Sequence, residues 1–226
     1  MAPTISRSIT VKKVFATLAA LTLLTALPAA AQSNNFSFFL TSQGPGDGAN
    51  LGGLAGADNH CQTLAYARGF GDTVWRAYLS AQARGGQGAV NARDRIGSGP
   101  WHNFSGDMIA QDATDLHSDN ANITKESVLT EEGRMVNGRG DDPNQHDILT
   151  GSNLDGTVYT GEGSDTCSNW TSGGEGSTRV GHFDRTGGGQ NPTSWNSAHD
   201  SRGCSQEDLI GTGGNGYFYC FAAREE

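Results

Sequence analysis

The sequence predicts an α+β domain with small antiparallel sheets, one or two helices, a long ordered loop region and two disulfides. Three observations indicate this fold class. The chain ends in an apolar, aromatic run from Gly216 to Ala223, which is typical of a buried, central strand. An earlier stretch, from Gly52 to Arg68, has apolar residues at roughly helical spacing. Four cysteines accompany 33 glycines, so we expect crosslinks to restrain a flexible chain.

The first 31 residues read as a signal peptide. Basic residues precede an apolar run from Val14 to Leu27, and Ala29-Ala30-Ala31 offers a small-residue cleavage site. The run is too short for a membrane span, which needs about 20 residues. Residues 32–226 are then expected to form one secreted or periplasmic domain with no membrane insertion.

The charge of this domain argues against nucleic acid as a partner. Three of the 15 basic residues and none of the 24 acidic residues lie in the signal segment, so residues 32–226 carry a net charge of −12. Nucleic-acid-binding proteins instead present basic surfaces to the phosphates.

The remaining elements follow in order. We expect a first strand within 34–41 that pairs with the last strand, then a helix over 52–68 capped by Asp58. Strands are predicted at 74–80, 167–171 and 180–183, with a pairing segment or a turn of helix at 90–96. The stretch 97–166 is rich in Asp, Asn and Gly, with short strand candidates at 108–109 and 158–159. A loop region of that length is typical of functional loops.

The four cysteines predict two disulfides, because an even count in an exported chain is typical of crosslinked domains. Counting leaves three connectivities open. Cys220 lies in the last strand, and Cys61, at the start of the helical stretch, is the natural candidate for its partner.

The cysteines and tryptophans together resemble those of a C-type lectin-like domain. The strand Trp75-Arg76-Ala77-Tyr78-Leu79-Ser80 is similar to that family's Trp-Ile-Gly-Leu strand, and Tyr217-Phe218-Tyr219-Cys220 resembles its closing strand. The resemblance implies the pairs Cys61–Cys220 and Cys167–Cys204. The motif Cys167-Ser168-Asn169-Trp170 looks closer to the endostatin-like and bacterial secreted branches.

Sugar-binding members of that family hold calcium through two short motifs. Their counterparts here, Asp142-Pro143-Asn144 and Trp195-Asn196-Ser197, both depart from the family pattern. Oxygen ligands are nevertheless abundant nearby, and calcium takes six to eight of them. Arg134 and Arg139 are the only cations between Gly133 and Asp155. Calcium is therefore a possible cofactor and is favoured over zinc at His182, with Asp141, Asp142, Asn144, Asp147 and Asp155 as its candidate ligands.

A second metal hypothesis concerns the histidines. The residues His146, His182, Asp184, His199 and Asp200 could hold zinc or poise a general base. The alternative is that they cap turns and pair with Arg179, Arg185 and Arg202. Spacing alone places no two of these histidines on one helical face.

Three functions remain open. The first is a carbohydrate-binding lectin or protein-binding module, whose loop face covers 138–155 and 187–202. Trp195 could stack on a sugar or simply fill a core, and the predicted ligand-binding set is Asn144, His146, Trp195, Asn196 and His199.

The second function is a metal-dependent or acid/base hydrolase around His182 and Asp184, although common enzyme motifs are absent and no catalytic residue is assigned. The third is a structural or adhesive exported domain. The ligand and the oligomeric state are not encoded in any motif of the sequence.

Overall fold

The computed structural model describes residues 35–164 and 166–223, together with Met1 and Pro3. The predicted signal peptide therefore lies almost entirely outside the described residues. None of the helices within these ranges is long and apolar enough to cross a membrane.

The described chain is an α+β structure with few helices. Its elements are β1 (Phe38–Leu40), α1 (Gly53–Tyr66), β2 (Trp75–Ala77), a 3₁₀ turn (Ala92–Asp94), β3 (Trp101–His102), β4 (Met108–Ala110), α2 (Ala113–Leu116), β5 (Asp147–Leu149), α3 (Thr166–Trp170), β6 (Arg179–His182), β7 (His199–Asp200), α4 (Gln206–Thr212) and β8 (Gly214–Ala222).

Strand β8 is the centre of a mixed six-stranded sheet. The order is β1-β8-β5-β6-β7, with β2 also paired to β8, and a separate two-stranded sheet joins β3 to β4. Strands β1 and β2 run antiparallel to β8, whereas β5 runs parallel to it. The predicted pairing of the first and last strands is confirmed, and the sheet is mixed rather than purely antiparallel.

Alternate residues of β8 fill two different cores, which explains its apolar sequence. Phe218 and Cys220 belong to the cluster that includes the buried face of α1. Tyr219 and Phe221 belong to a second cluster, with Trp101 and Trp195 among its members. A strand buried on both faces reads as a continuous apolar run, as this one does.

Two disulfides crosslink this arrangement. Cys61 of α1 bonds to Cys220 of β8, and Cys167 bonds to Cys204. These are the pairs that the resemblance implied.

Several local predictions were wrong. Asp58 does not cap α1: the helix begins after Gly52, and the Asp58 carboxylate instead accepts hydrogen bonds from Ala77 N and Arg95, which tie α1 to β2. The residues around Cys167 form no strand, because α3 is a left-handed turn with φ of 50° to 67°. The long loop region contains β5, and α4 and β7 follow where no element was predicted.

Candidate metal centre

The register of β5, β6 and β7 places three polar side chains on one face of the sheet. Asp147 lies directly opposite His182, and His199 lies opposite Val180. Side chains two residues apart in a strand point to the same face, so Val180 and His182 point to one face of the sheet. Their cross-strand partners, His199 and Asp147, point to that face as well. Residues separated by up to 52 positions in the sequence therefore converge through strand pairing.

Three imidazoles approach a single carboxylate oxygen. The Nε2 atoms of His146, His182 and His199 lie 3.2, 3.3 and 3.5 Å from Asp147 Oδ1. The side chains of His146, His182 and Asp147 are only 6, 1 and 2% exposed, and that of His199 is 25% exposed. The ligand atoms of His146, Asp147 and His182 all lie within 4.8 Å of one another.

The other ring nitrogen of each histidine faces an acceptor. His182 Nδ1 lies 2.8 Å from Pro192 O, and His199 Nδ1 lies 3.0 Å from Asp200 O. His146 Nδ1 lies 3.1 Å from Asp184 Oδ1. Because these oxygens accept hydrogen bonds, each Nδ1 carries a proton, and each ring directs Nε2 towards Asp147.

This convergence leaves buried acceptors unpaired. Among the described residues, neither carboxylate oxygen of Asp147 has a hydrogen-bond partner, nor does His182 Nε2. The short distances to Asp147 Oδ1 are thus contacts without hydrogen-bond geometry. Burial of an unpaired carboxylate is costly, and a cation placed between Asp147 and the imidazoles would pair with it.

The electrostatics agree with a deprotonated, cation-binding group. Burial raises the pKa of Asp147, but the neighbouring imidazoles of His182 and His199 outweigh it, and the net pKa lies below the ordinary value. The Asp147 carboxylate in turn raises the pKa of His199. Burial also opposes ionisation of Asp184, yet hydrogen bonds from His146 and from the backbone of Arg139 lower its pKa to about 2. Both carboxylates are therefore charged at neutral pH.

The alternative hypothesis, that these residues cap turns and pair with arginines, holds in part: Asp184 accepts from the backbone amide of Thr186, and Arg179 pairs with Asp200. Arg185 donates to the carbonyls of Ala121 and Ile123, and Arg202 donates to the carbonyl of Gly211. Arg179 Nη1 lies 3.6 Å from Asp200 Oδ1, and the same guanidinium also donates to Gln190 and Ser197. Asp184 receives the backbone amide of Arg139 rather than its guanidinium.

A run of three glycines covers the imidazoles. A Cβ atom on Gly187 would lie 2.5 Å from His182 Cε1, and one on Gly189 would lie 2.9 Å from His199 Cβ. Both glycines have positive φ, of 143° and 94°, whereas a Cβ on Gly188 would meet no atom within 4 Å. The backbone at 187 and 189 packs on the rings at a distance that only glycine permits.

The donor set fits zinc better than calcium. Zinc bonds of about 2.0–2.1 Å in a tetrahedron separate neighbouring ligand atoms by about 3.3–3.4 Å, close to the distances from each Nε2 to Asp147 Oδ1. The ligand atoms that all lie within 4.8 Å of one another are those of His146, Asp147 and His182, and His199 approaches this group through Asp147. Calcium prefers six to eight oxygen ligands, and three imidazole nitrogens suit zinc or another transition metal.

The predicted calcium residues have separate partners. Asp141 pairs with Lys125, a cation from outside the 133–155 stretch, and this contact lowers its pKa. Asp155 accepts from Thr157, and Asp147 faces the histidines. Asp142 is exposed, and the Asn144 side chain lies near Gly213, beside His146. Asp147 thus shares its surroundings with imidazoles rather than with the other acidic residues of the set.

The predicted sugar-stacking residue is buried. Trp195 is 3% exposed and packs against Tyr78 and Tyr219, with ring centroids 4.9 and 5.3 Å away. Asn196 is also buried and donates to Tyr78 Oη and to the carbonyl of Asn153. Of the predicted ligand-binding set, His146 and His199 belong to the candidate metal centre, and Trp195 and Asn196 belong to the core beneath the loops.

Sequence reasoning missed two features of this site. Asp147 was assigned to calcium, although its position next to His146 placed it within reach of the histidines. The glycine run 187–189 was read only as loop. Comparisons of the sequence with known protein families and with curated proteins found no match.

Proposed function

We propose that this protein is an exported, C-type lectin-like binding module whose loop face is built on a buried zinc centre. The zinc ligands are His146, His182 and His199 through Nε2 and Asp147 through Oδ1. The observation that carries the proposal is the convergence of these three nitrogens on one unpaired, buried carboxylate oxygen.

The competing explanation is a carboxylate held by protonated imidazoles. The Asp147 carboxylate raises the pKa of His199, so one imidazolium could come from that ring, whereas protonation of both His146 and His182, whose rings stack 4.2 Å apart with an interplanar angle of 8°, would place two cations face to face. Two like charges at that separation repel each other strongly in a buried site. A metal ion avoids this repulsion because both rings stay neutral.

Four protein ligands favour a structural role for the metal over a hydrolytic one. A catalytic zinc keeps an open coordination position for water, whereas structural zinc is closed by four protein groups. If His199, the most exposed and most distant ligand, were displaced by water, the same residues would support the alternative of a hydrolase. A third possibility, a purely structural or adhesive domain, needs no ligand at the loop face.

The variant Asp147→Asn tests whether a metal ion or a protonated imidazole stabilises the buried Asp147 carboxylate. With zinc present, Asp147→Asn should lower the melting temperature, because it weakens a ligand. In chelator the melting temperature of Asp147→Asn should equal or exceed that of the native protein, because the amide N–H can donate to an imidazole lone pair. If imidazoliums hold the site, Asp147→Asn should be less stable than the native protein in chelator as well.

Metal analysis of the purified, disulfide-intact protein supplies the direct test. We expect about one zinc per chain, consistent with a single tetrahedral site, and loss of that zinc in His182→Gln. The matched control is His102→Gln, since His102 lies on β3, outside the site. Zinc-free protein after dialysis against zinc would contradict the proposal.

The binding function needs a separate measurement. A glycan-array screen of the protein with zinc, with calcium and with chelator tests the lectin-like proposal. Melting curves in calcium test the predicted calcium site, and curves that coincide with and without millimolar calcium would contradict it.

A further inference from the structure

The zinc ligands are connected to a second feature of the loop face. Two adjoining cavities, of about 430 and 410 Å³, share Leu154, Gln190 and Asn191 in their linings. Residues 190–197 of the segment 187–197 form one wall of this groove. The opposite side is formed by residues 117–119 and the loop 153–159.

The 187–197 segment is attached to His182 at two points. The backbone amide of His182 donates to Ser194 O at 2.8 Å, and the imidazole Nδ1 donates to Pro192 O at 2.8 Å. Pro192 and Ser194 both line the larger cavity. A ring that binds metal through Nε2 must present Nδ1–H to Pro192, so the metal fixes this bond.

The start of the same segment is shaped by the other rings. Gly187 lies on His182 and His146, and Gly189 lies on His199. The next residue, Gln190, accepts from Arg179 Nη2 at 2.8 Å and lines both cavities. Rotation of the imidazoles after metal loss would remove the surface on which the glycines rest.

We infer that the zinc centre acts as a latch for the 187–197 segment, so that metal occupancy controls the shape of the groove without any contact between metal and ligand. This inference rests on the proposed function, because it requires zinc at the four-residue site. It adds that binding at the groove is regulated by a buried ion, through a wall that the ion holds in place.

Hydrogen exchange tests the latch in the native, full-length protein. We compare zinc-loaded and chelated samples by mass spectrometry and follow peptides that cover 187–197 and 53–66. Metal loss should accelerate exchange in 187–197 by about tenfold or more, while α1, fixed by its disulfide, stays protected.

The glycine run supplies a matched series of variants. Gly187→Ala and Gly189→Ala should weaken zinc affinity by about tenfold, because each Cβ displaces a ligand ring. Gly188→Ala should bind zinc as the native protein does, since its Cβ meets open space. Protection of 53–66 reports whether each variant is folded.

The outcomes distinguish the two proposals. One zinc per chain with unchanged exchange in 187–197 would overturn the latch and leave the zinc centre standing. Absence of bound zinc would overturn both. Loss of protection in α1 together with 187–197 would overturn the local latch, because metal would then support the whole fold.

Discussion

Asp184, which the sequence placed among the residues that could hold zinc, is not a ligand in the proposed centre but orients the ligand His146. Its Oδ1 accepts from His146 Nδ1, and its Oδ2 accepts from the backbone amide of Arg139 at 2.6 Å. In Asp184→Asn, an amide NH2 group replaces one of the two oxygens. Because NH2 cannot accept, the hydrogen bond from His146 or the one from Arg139 is lost. We expect a loss of about 10- to 100-fold in zinc affinity, the usual cost of removing such a partner.

Competition with a chromophoric chelator measures this affinity. The variant should still bind one zinc at saturation, because all four ligands remain. The control is Asp141→Asn, which alters the neighbouring loop carboxylate that pairs with Lys125. Equal affinities for Asp184→Asn and the native protein would show that His146 is oriented by its packing alone.

The histidines of the site could be named from the sequence, whereas their ligand partner could not. His146, His182 and His199 were grouped with Asp184 because the residue types suit metal binding. Asp147 was grouped with other acidic residues because they are close in sequence. His146 is the sequence neighbour of Asp147, but strand pairing brings the carboxylate to His182 and His199, and this cross-strand register has no local signal.

Helix α2 ends at a histidine that joins it to the core. His117 Nδ1 donates to Ala113 O at 2.6 Å, so Nε2 accepts from Tyr78 Oη at 2.7 Å. Burial lowers the pKa of His117 below its ordinary value of 6.5, and also raises the pKa of Tyr78. The unfolded chain therefore binds this proton more readily than the folded one does.

The sign of the pH dependence follows from this difference. The His117 contribution to stability is complete above pH 6.5 and is lost as the pH falls below it. An NMR titration of the zinc-loaded protein between about pH 5 and 8 covers the range in which histidines change charge. The His117 ring signals, assigned by their absence in His117→Asn, should give a pKa under 6.5. A value at or above 6.5 would contradict the buried, accepting role of Nε2.

The strength of a local pattern decided which elements could be predicted. Strand β8 and helix α1 are long and have clear apolar periodicity, and both were found. Strands β5 and β7 contain three and two residues, too few for any pattern to be visible. The turn at Cys167 was mistaken for a strand because its apolar residues are fixed by a disulfide and by Trp170 burial, not by sheet pairing.

The two disulfides should differ in their contribution to the stability of the whole chain. Cys61–Cys220 closes a loop of 159 residues and Cys167–Cys204 one of 37. In the chain-entropy account these restrict the unfolded state by about 5 and about 4 kcal/mol respectively. Double Cys→Ser variants, each lacking one bridge, should show these losses in urea unfolding. A larger loss for the shorter loop would mean that native packing around Cys167 dominates.

The pairing of β1 with β8 also determines how the protein would respond to tension. Phe38 of β1 lies opposite Phe221 of the antiparallel strand β8. The two ends of the segment 35–223 therefore leave the sheet side by side, at the same end of the strands. Pulling on them would open the strand pair one hydrogen bond at a time, until the force reached Cys61 and Cys220. From there the covalent bridge carries the load. His146, Asp147, His182 and His199 all lie between these cysteines, so the proposed zinc centre would be shielded from mechanical stress along the chain.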